Sequence, residues 1–150
     1  MENEILLSST NKSLRINFYI WYIVLIAFGI FCFVTKYPFP KLNAGLSVNF
    51  QQLLILCILV GIPAILVWTK NKMKTLAEIS DIGIRLKLYE KYVHIRQSVF
   101  FILGFFILFM HIFTLMKGAL MLFCIIVFIC VFIIPSRGRL ETEAHIGEPK

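Results

Sequence analysis

The sequence predicts an all-α integral membrane protein, a four-helix bundle with both termini cytoplasmic and a cytoplasmic amphipathic helix between spans 2 and 3. Three observations carry this. Residues 16–35, 48–68, 98–116 and 118–134 form four apolar runs that contain no Asp, Glu, Lys or Arg. Their lengths, 20, 21, 19 and 17 residues, match the ~20 residues (range about 17–25) that a helix needs to cross a bilayer core. The composition agrees, with 59% hydrophobic and 15% charged residues, against about 25% charged in soluble domains.

Lipid restricts the secondary structure. An unpaired backbone group in hydrocarbon costs several kcal/mol, so only helices and closed barrels cross it. The four runs are continuously apolar, without the alternation of a barrel strand, and roughly twice a strand's length. They are therefore helices.

Charge sets the threading, because Lys and Arg are retained on the cytoplasmic side. Lys70, Lys72, Lys74, Arg85, Lys87, Lys91 and Arg96 lie between the second and third runs. Lys12 and Arg15 precede the first run, and Arg137, Arg139 and Lys150 follow the fourth. Four crossings put these twelve residues on one side and leave Lys36, Lys41 and Lys117 on the other. The expected location is the cell inner membrane. The net charge of +7 is then topological, and no nucleic-acid partner is implied.

Taken in order, residues 1–15 are polar and read as a loose tail, with Ile5, Leu6 and Leu7 as an alternative contact to the membrane surface. The first run starts too late and runs too long for a cleaved signal peptide. Phe18, Tyr19, Trp21 and Tyr22 open it, Tyr37 and Phe39 mark its far end, and Trp68 marks the cytoplasmic end of the second span, as an interfacial aromatic belt requires. Pro38 and Pro40 end the first helix, while Asn43 and Gly45 bring turn chemistry to the exterior link. In the second run Gly61 and Pro63 weaken the helix, and Cys57-x-x-x-Gly61 offers a small-residue face for close helix contact.

The basic segment 69–97 continues the second helix, breaks at Ser80-Asp81-Ile82-Gly83 with an N-cap candidate, and restarts as a helix leading into the third span. Ile79, Ile82, Leu86, Tyr89 and Val93 form one apolar stripe, and Ile84, Leu88, Tyr92 and Ile95 form a second. Two stripes separated by charge suit a helix packed on two surfaces. Lys87, Lys91 and Arg96 are the candidate lipid or partner surface, worth ~1 kcal/mol each against anionic headgroups. Solvated topogenic charge is the plainer alternative. Met116, Lys117 and Gly118 leave room only for a tight antiparallel hairpin between the last two spans. Pro135 ends the fourth, and residues 135–150 form a polar cytoplasmic tail, so residues 1–150 read as a single membrane domain.

Chemistry-bearing residues are sparse. His111 is the one His, Asp, Glu, Lys or Arg inside a run, and an intramembrane ionisable group marks a functional-site hypothesis. It shares a small-residue stripe with Gly104, Thr114 and Gly118, so His111 and Thr114 form the candidate intramembrane polar site. A proton relay and a structural hydrogen bond are both open to that histidine. Cys32, Cys57, Cys124 and Cys130 all fall inside runs without a CxxC pair, as small hydrophobes do. His94 and His145 lie on the other side from His111, so no metal and no cofactor is expected. No phosphate loop, nucleophile elbow or carboxylate pair appears, and the chain reads as not an enzyme. Small multidrug exporters carry an acidic residue in the first span, which this chain lacks.

From Leu76 onward the chain resembles a group of small bacterial inner-membrane proteins of no established activity. The matching residues are Leu76-Ala77-Glu78-Ile79, Lys87-Leu88-Tyr89-Glu90-Lys91-Tyr92, and Pro135-Ser136-Arg137-Gly138-Arg139-Leu140-Glu141-Thr142-Glu143. The resemblance covers about half the chain. It departs at Gly104, where an acidic neighbour is expected, and at the turn ending in Gly118. It implies topology and no activity. Ser136 reads as the cap of a short helix whose acidic end pairs with the basic segment.

The functional expectation is a non-enzymatic accessory or interaction subunit, with the bilayer, anionic lipid and either a second copy or another membrane protein as partners. The alternative is a small oligomeric transporter or channel with His111 near the pathway. A holin-like lesion former is the third. The threading is tested at Asn43: a cysteine placed there is expected to react with an impermeant reagent from outside intact cells. Reaction only after the cytoplasmic side is opened reverses the topology.

Overall fold

The structure, a computed structural model, describes residues 2–35, 44–114 and 118–145. They form five α-helices: α1 (Glu2–Val34), α2 (Ala44–Lys74), α3 (Ile82–Thr114), α4 (Ala119–Phe132) and α5 (Arg137–Glu143). A 3-10 turn, Thr75–Glu78, extends α2, and no strand occurs among the described residues. Pro38, Pro40, Asn43, Met116 and Lys117, on which the link and the hairpin turn were read, lie outside the described residues. Gly45 belongs to α2, one residue past its start, instead of to a turn.

Three helices, α1, α2 with its 3-10 extension, and α3, are long and apolar enough to cross a membrane. The 14 residues of α4 span ~21 Å at 1.5 Å per residue, short of the ~30 Å core. They qualify as a crossing only together with α5, from which α4 is bent by 77°. The bend follows from Pro135, which lacks an N–H and disfavours helix in the residue before it.

The long helices exceed any bilayer. At 33 residues each, α1 and α3 extend for ~50 Å, so each has about 20 Å beyond a hydrocarbon core. The excess lies at the end that carries Lys12, Arg15, Arg85, Lys87, Lys91 and Arg96. The expected loose tail is thus corrected. Residues from Glu2 on are helical, continuous with the first apolar run, because Leu7 and Leu14 share a face with Phe18, Leu25, Gly29 and Cys32 and all are buried. Their spacings of three, four or seven are those of one helix seam.

That seam meets α3, which runs in the same direction. Asn17 pairs with His94, Phe18 with Phe101, Phe28 with Phe105 and Phe33 with His111, in matching order along both helices. α2 and α4 run back alongside α3, which contacts α1, α2 and α4. Asp81 starts α3 as its cap, its Oδ1 accepting from the N–H groups of Gly83 (2.7 Å) and Ile84 (3.1 Å).

Two separate cores result. The apolar half centres on Phe18, Leu25, Leu54, Phe100, Ile107 and Ile126. The basic end has its own, built from Leu7 and Leu14 of α1, Met73 and Leu76, Leu86, Tyr89 and Val93 of α3, and Leu140 and Ala144. The described N- and C-terminal helices therefore meet at one end of the bundle. Exposed large side chains such as Ile23, Val34, Leu59, Ile102 and Phe128 cover the outside of the apolar half, where lipid would contact them. Cys57 and Cys124 lie on that outer face and only Cys32 and Cys130 are buried, which corrects the expectation of four buried thiols.

Between apolar helices in lipid there is no hydrophobic drive, and close packing does the work. Gly104 sits where a Cβ would come within 2.9 Å of a Leu25 methyl. Gly29 sits where one would come within 2.5 Å of the Phe123 ring. By contrast, among the described residues nothing lies within 4 Å of a Cβ at Gly61, so Gly61 is not a point of close helix contact there. Gly104→Leu is expected to lower stability in detergent by about 1–3 kcal/mol through overpacking. Gly61→Leu is expected to cause no loss, and equal thermal shifts in the two variants would contradict this packing.

Candidate functional site

The polar residues gather between the two cores and around the second one. Spacing explains why α3 dominates. Ile82, Arg85, Tyr89, Val93 and Arg96 recur every three or four residues, so both arginines share the buried face with the apolar stripe. Arg85 and Arg96 are only 7% and 6% exposed. A buried guanidinium must be paired, because removal from water is costly.

Arg85 is paired to backbone. Its Nε donates to the Ile79 carbonyl (3.0 Å), Nη2 donates to the same oxygen, and Nη1 donates to the His145 carbonyl (2.9 Å). One side chain thus ties the loop before α3 to the end of α5. His145 ends α5 with a positive φ of 53°, a left-handed termination that usually falls to glycine. Its carbonyl is the one that Arg85 holds.

Glu143 is the second hub. Its carboxylate accepts from Tyr89 Oη (3.2 Å) and lies 3.5 Å from Arg96 Nη1 and 3.5 Å from Arg139 Nε. Tyr89 is 1% exposed, so its hydroxyl needs this acceptor. Ser136 caps α5, its Oγ accepting from Arg139 N–H at 3.3 Å. Arg139 Nη1 also donates to the Phe132 carbonyl (2.5 Å), one of the oxygens left open at the end of α4. The acidic end of the tail helix therefore meets α3 through Arg96 and Tyr89. Lys87 and Lys91 are exposed and do not take part.

A polar layer lies between the cores. Asn17 Nδ2 and His94 Nδ1 are 3.1 Å apart, and His94 Nε2 lies 3.6 Å from Glu90. Gln97 is 2% exposed, and its Nε2 has no hydrogen-bond partner among the described residues. With Asn17, Trp21, Ser98 and Phe101 it lines a cavity of about 200 Å³. Thr69 is fully buried and returns its hydroxyl to the Ile65 carbonyl at 2.6 Å.

The candidates read from the sequence are dispersed. Lys87 and Lys91 face solvent, whereas Arg96 of the same set is interior. The first apolar stripe faces protein, while Ile84 of the second is 53% exposed and Tyr92 packs edge-on to Trp68 (5.9 Å). His111 is partly buried in the apolar half, its ring 4.4 Å from that of Phe33. The side chain of Thr114 lies outside the described residues. Sequence reasoning missed Arg85 and Gln97, while Glu143 belongs to the acidic helix end that the sequence pairs with the basic segment. The first was legible as an arginine on the stripe, but it was counted only as topogenic charge. Among the described residues no three His, Cys, Asp or Glu side chains group to hold a metal.

Compared with protein-family models, curated proteins and solved structures, the chain matches none.

The arrangement is a clamp: buried cations of α3 hold a short terminal helix, and the exposed lysines stand on the opposite side of that contact. Glu143→Ala is expected to cost about 1–3 kcal/mol, because Arg96 and Tyr89 lose their acceptor. Trypsin should then cut faster at Arg137 and Arg139. Lys87→Glu with Lys91→Glu, on the surface, is expected to stay within about 0.5 kcal/mol. Unchanged cleavage in the Glu143 variant would show that the clamp does not hold α5.

Proposed function

We propose that the chain is a non-enzymatic inner-membrane protein of four spans, with both termini in the cytoplasm, that acts as an accessory or interaction subunit through its basic end. The observation that carries this reading is the second core. A protein whose work lay wholly within lipid needs only short loops beyond it. Here parts of four helices join outside the apolar half around Leu86, Tyr89, Val93 and Leu140. In water such a core gains about 1.5–3 kcal/mol for each fully buried large side chain, so the projecting helix ends form a firm platform.

The threading draws on two further facts. Helical segments from both ends of the chain share this core, which an even number of crossings produces. The same end carries most of the positive charge, as the cytoplasmic side of a membrane protein does. The fourth crossing is α4 with its flanking residues, short enough to require local thinning of the bilayer or tilt of its neighbours. The platform presents Ile84, Lys87 and Lys91 outward, an apolar and basic face suited to an acidic partner segment on a membrane protein.

A photo-reactive residue at Lys87 or Lys91, activated in intact membranes, is expected to give one discrete crosslinked product. Proteoliposomes of the purified protein are expected to stay tight to protons and small ions. Flux that His111→Ala abolishes would replace this reading with that of a transporter.

A further inference from the structure

We propose that the groove between α1 and α3, at the level of the polar layer, binds an uncharged amphiphile through a hydroxyl on its head. The two helices run in the same direction, so each level of α1 meets the same level of α3. Asn17 and Trp21 of α1, with His94, Ser98, Phe101 and Phe105 of α3, recur at spacings of three or four and help to line a cavity of about 200 Å³. Its polar residues lie toward the basic end and its aromatic ones toward the apolar half. That is the order in which an amphiphile in the adjoining leaflet presents its head and its chain. Polar atoms form part of the cavity surface. Asn17 is half-buried and Ser98 is exposed, so both are within reach of a ligand.

Charge, size and hydrogen bonding select the ligand. Among the described residues no Asp, Glu, Lys or Arg lines the cavity, so nothing there offsets the desolvation of a charged head. Its volume is below the ~300–1,000 Å³ of pockets that enclose a whole small molecule. It therefore takes a head and leaves the chain outside. Trp21 and Ile102, both on its wall and both exposed, give that chain an apolar path along the outer face of the bundle. The head must suit Asn17 and Ser98. Asn17 Nδ2 donates to His94 Nδ1 at 3.1 Å, which leaves Oδ1 to act as an acceptor. The Ser98 hydroxyl both donates and accepts. A ligand hydroxyl can donate to the first and accept from the second at once, whereas a carbonyl or ether oxygen only accepts. An acylglycerol and an isoprenoid quinol each carry such a hydroxyl on an apolar body. The site is separate from the docking face, since Ile84, Lys87 and Lys91 do not line it.

The test uses the full chain with Trp68→Phe, which leaves Trp21 on the cavity wall as its one tryptophan. In phosphatidylcholine nanodiscs it is titrated with a diacylglycerol or a quinol brominated in the apolar chain, and with phosphatidylcholine and phosphatidylglycerol brominated in the same way. Bromine quenches a nearby indole. Quenching of Trp21 is expected to reach a plateau at a low mole fraction of a hydroxyl-headed probe, and to rise only in proportion to mole fraction with either phospholipid. Ser98→Ala is expected to move the plateau's midpoint about 2- to 10-fold higher, for the loss of one uncharged hydrogen bond. Ser98→Phe, which fills the cavity from an exposed position, is expected to abolish the plateau. A plateau with the diacylglycerol alone or with the quinol alone upholds the site and identifies the source of its ligand. No plateau with either, a plateau that both Ser98 variants leave unchanged, or a phospholipid that matches the hydroxyl-headed probes overturns the proposal.

Discussion

Hydrocarbon tolerates neither an unpaired backbone group nor a bare charge, and the architecture follows from satisfying both conditions in helices too long for the membrane. A continuous helix pairs its own backbone, so α1 and α3 pass through the apolar half without interruption. Their charged residues are confined to one end, and the helices continue there for a further ~20 Å of their ~50 Å length. The projecting segments must then find partners in water, which they do by packing on one another.

Different forces therefore hold the two halves. At the basic end, water drives Leu7, Leu14, Leu76, Leu86 and Tyr89 together, and burial of each large side chain contributes. In the apolar half lipid competes equally for every Leu and Phe. Contact there depends on fit, as at Gly29 under Phe123 and Gly104 under Leu25. The outward row of large apolar side chains on α2, including Leu53, Leu56, Leu59 and Val60, belongs to this half and carries no comparable packing. Where the halves meet, Asn17, Thr69, His94 and Gln97 form a polar layer that matches the level at which the surroundings change.

Helix α5 closes the basic end. It is only seven residues long, too short to be stable alone in water. Ser136 caps its start, Arg85 holds the carbonyl that ends it, and Arg96 with Tyr89 engages Glu143. The helix thus depends on its own cap at the start and on α3 at its C-terminal end, while α3 needs Glu143 to offset a buried guanidinium. Each element supplies what the other lacks, so the terminal helix and the platform form together.

Much of this was legible in the sequence. The apolar runs marked the long helices because length and absence of charge are local properties. The break at Ser80–Gly83 with a cap candidate, which the structure assigns to Asp81, and Ser136 as the cap of a short helix, were legible because capping acts within a few residues. The heptad-like stripe on α3 was also readable, since helical period alone puts Leu86, Tyr89 and Val93 on one face. What the sequence could not decide was which surface covers that face. The N-terminal segment looked like a loose tail because its polar residues say nothing of a partner, and its Leu7 and Leu14 acquire meaning only beside α3 and α5. Lys87, Lys91 and Arg96 are equivalent as charges in sequence. Only tertiary packing separates two solvated ammonium groups from one buried guanidinium, because burial depends on what the far end of the chain brings alongside.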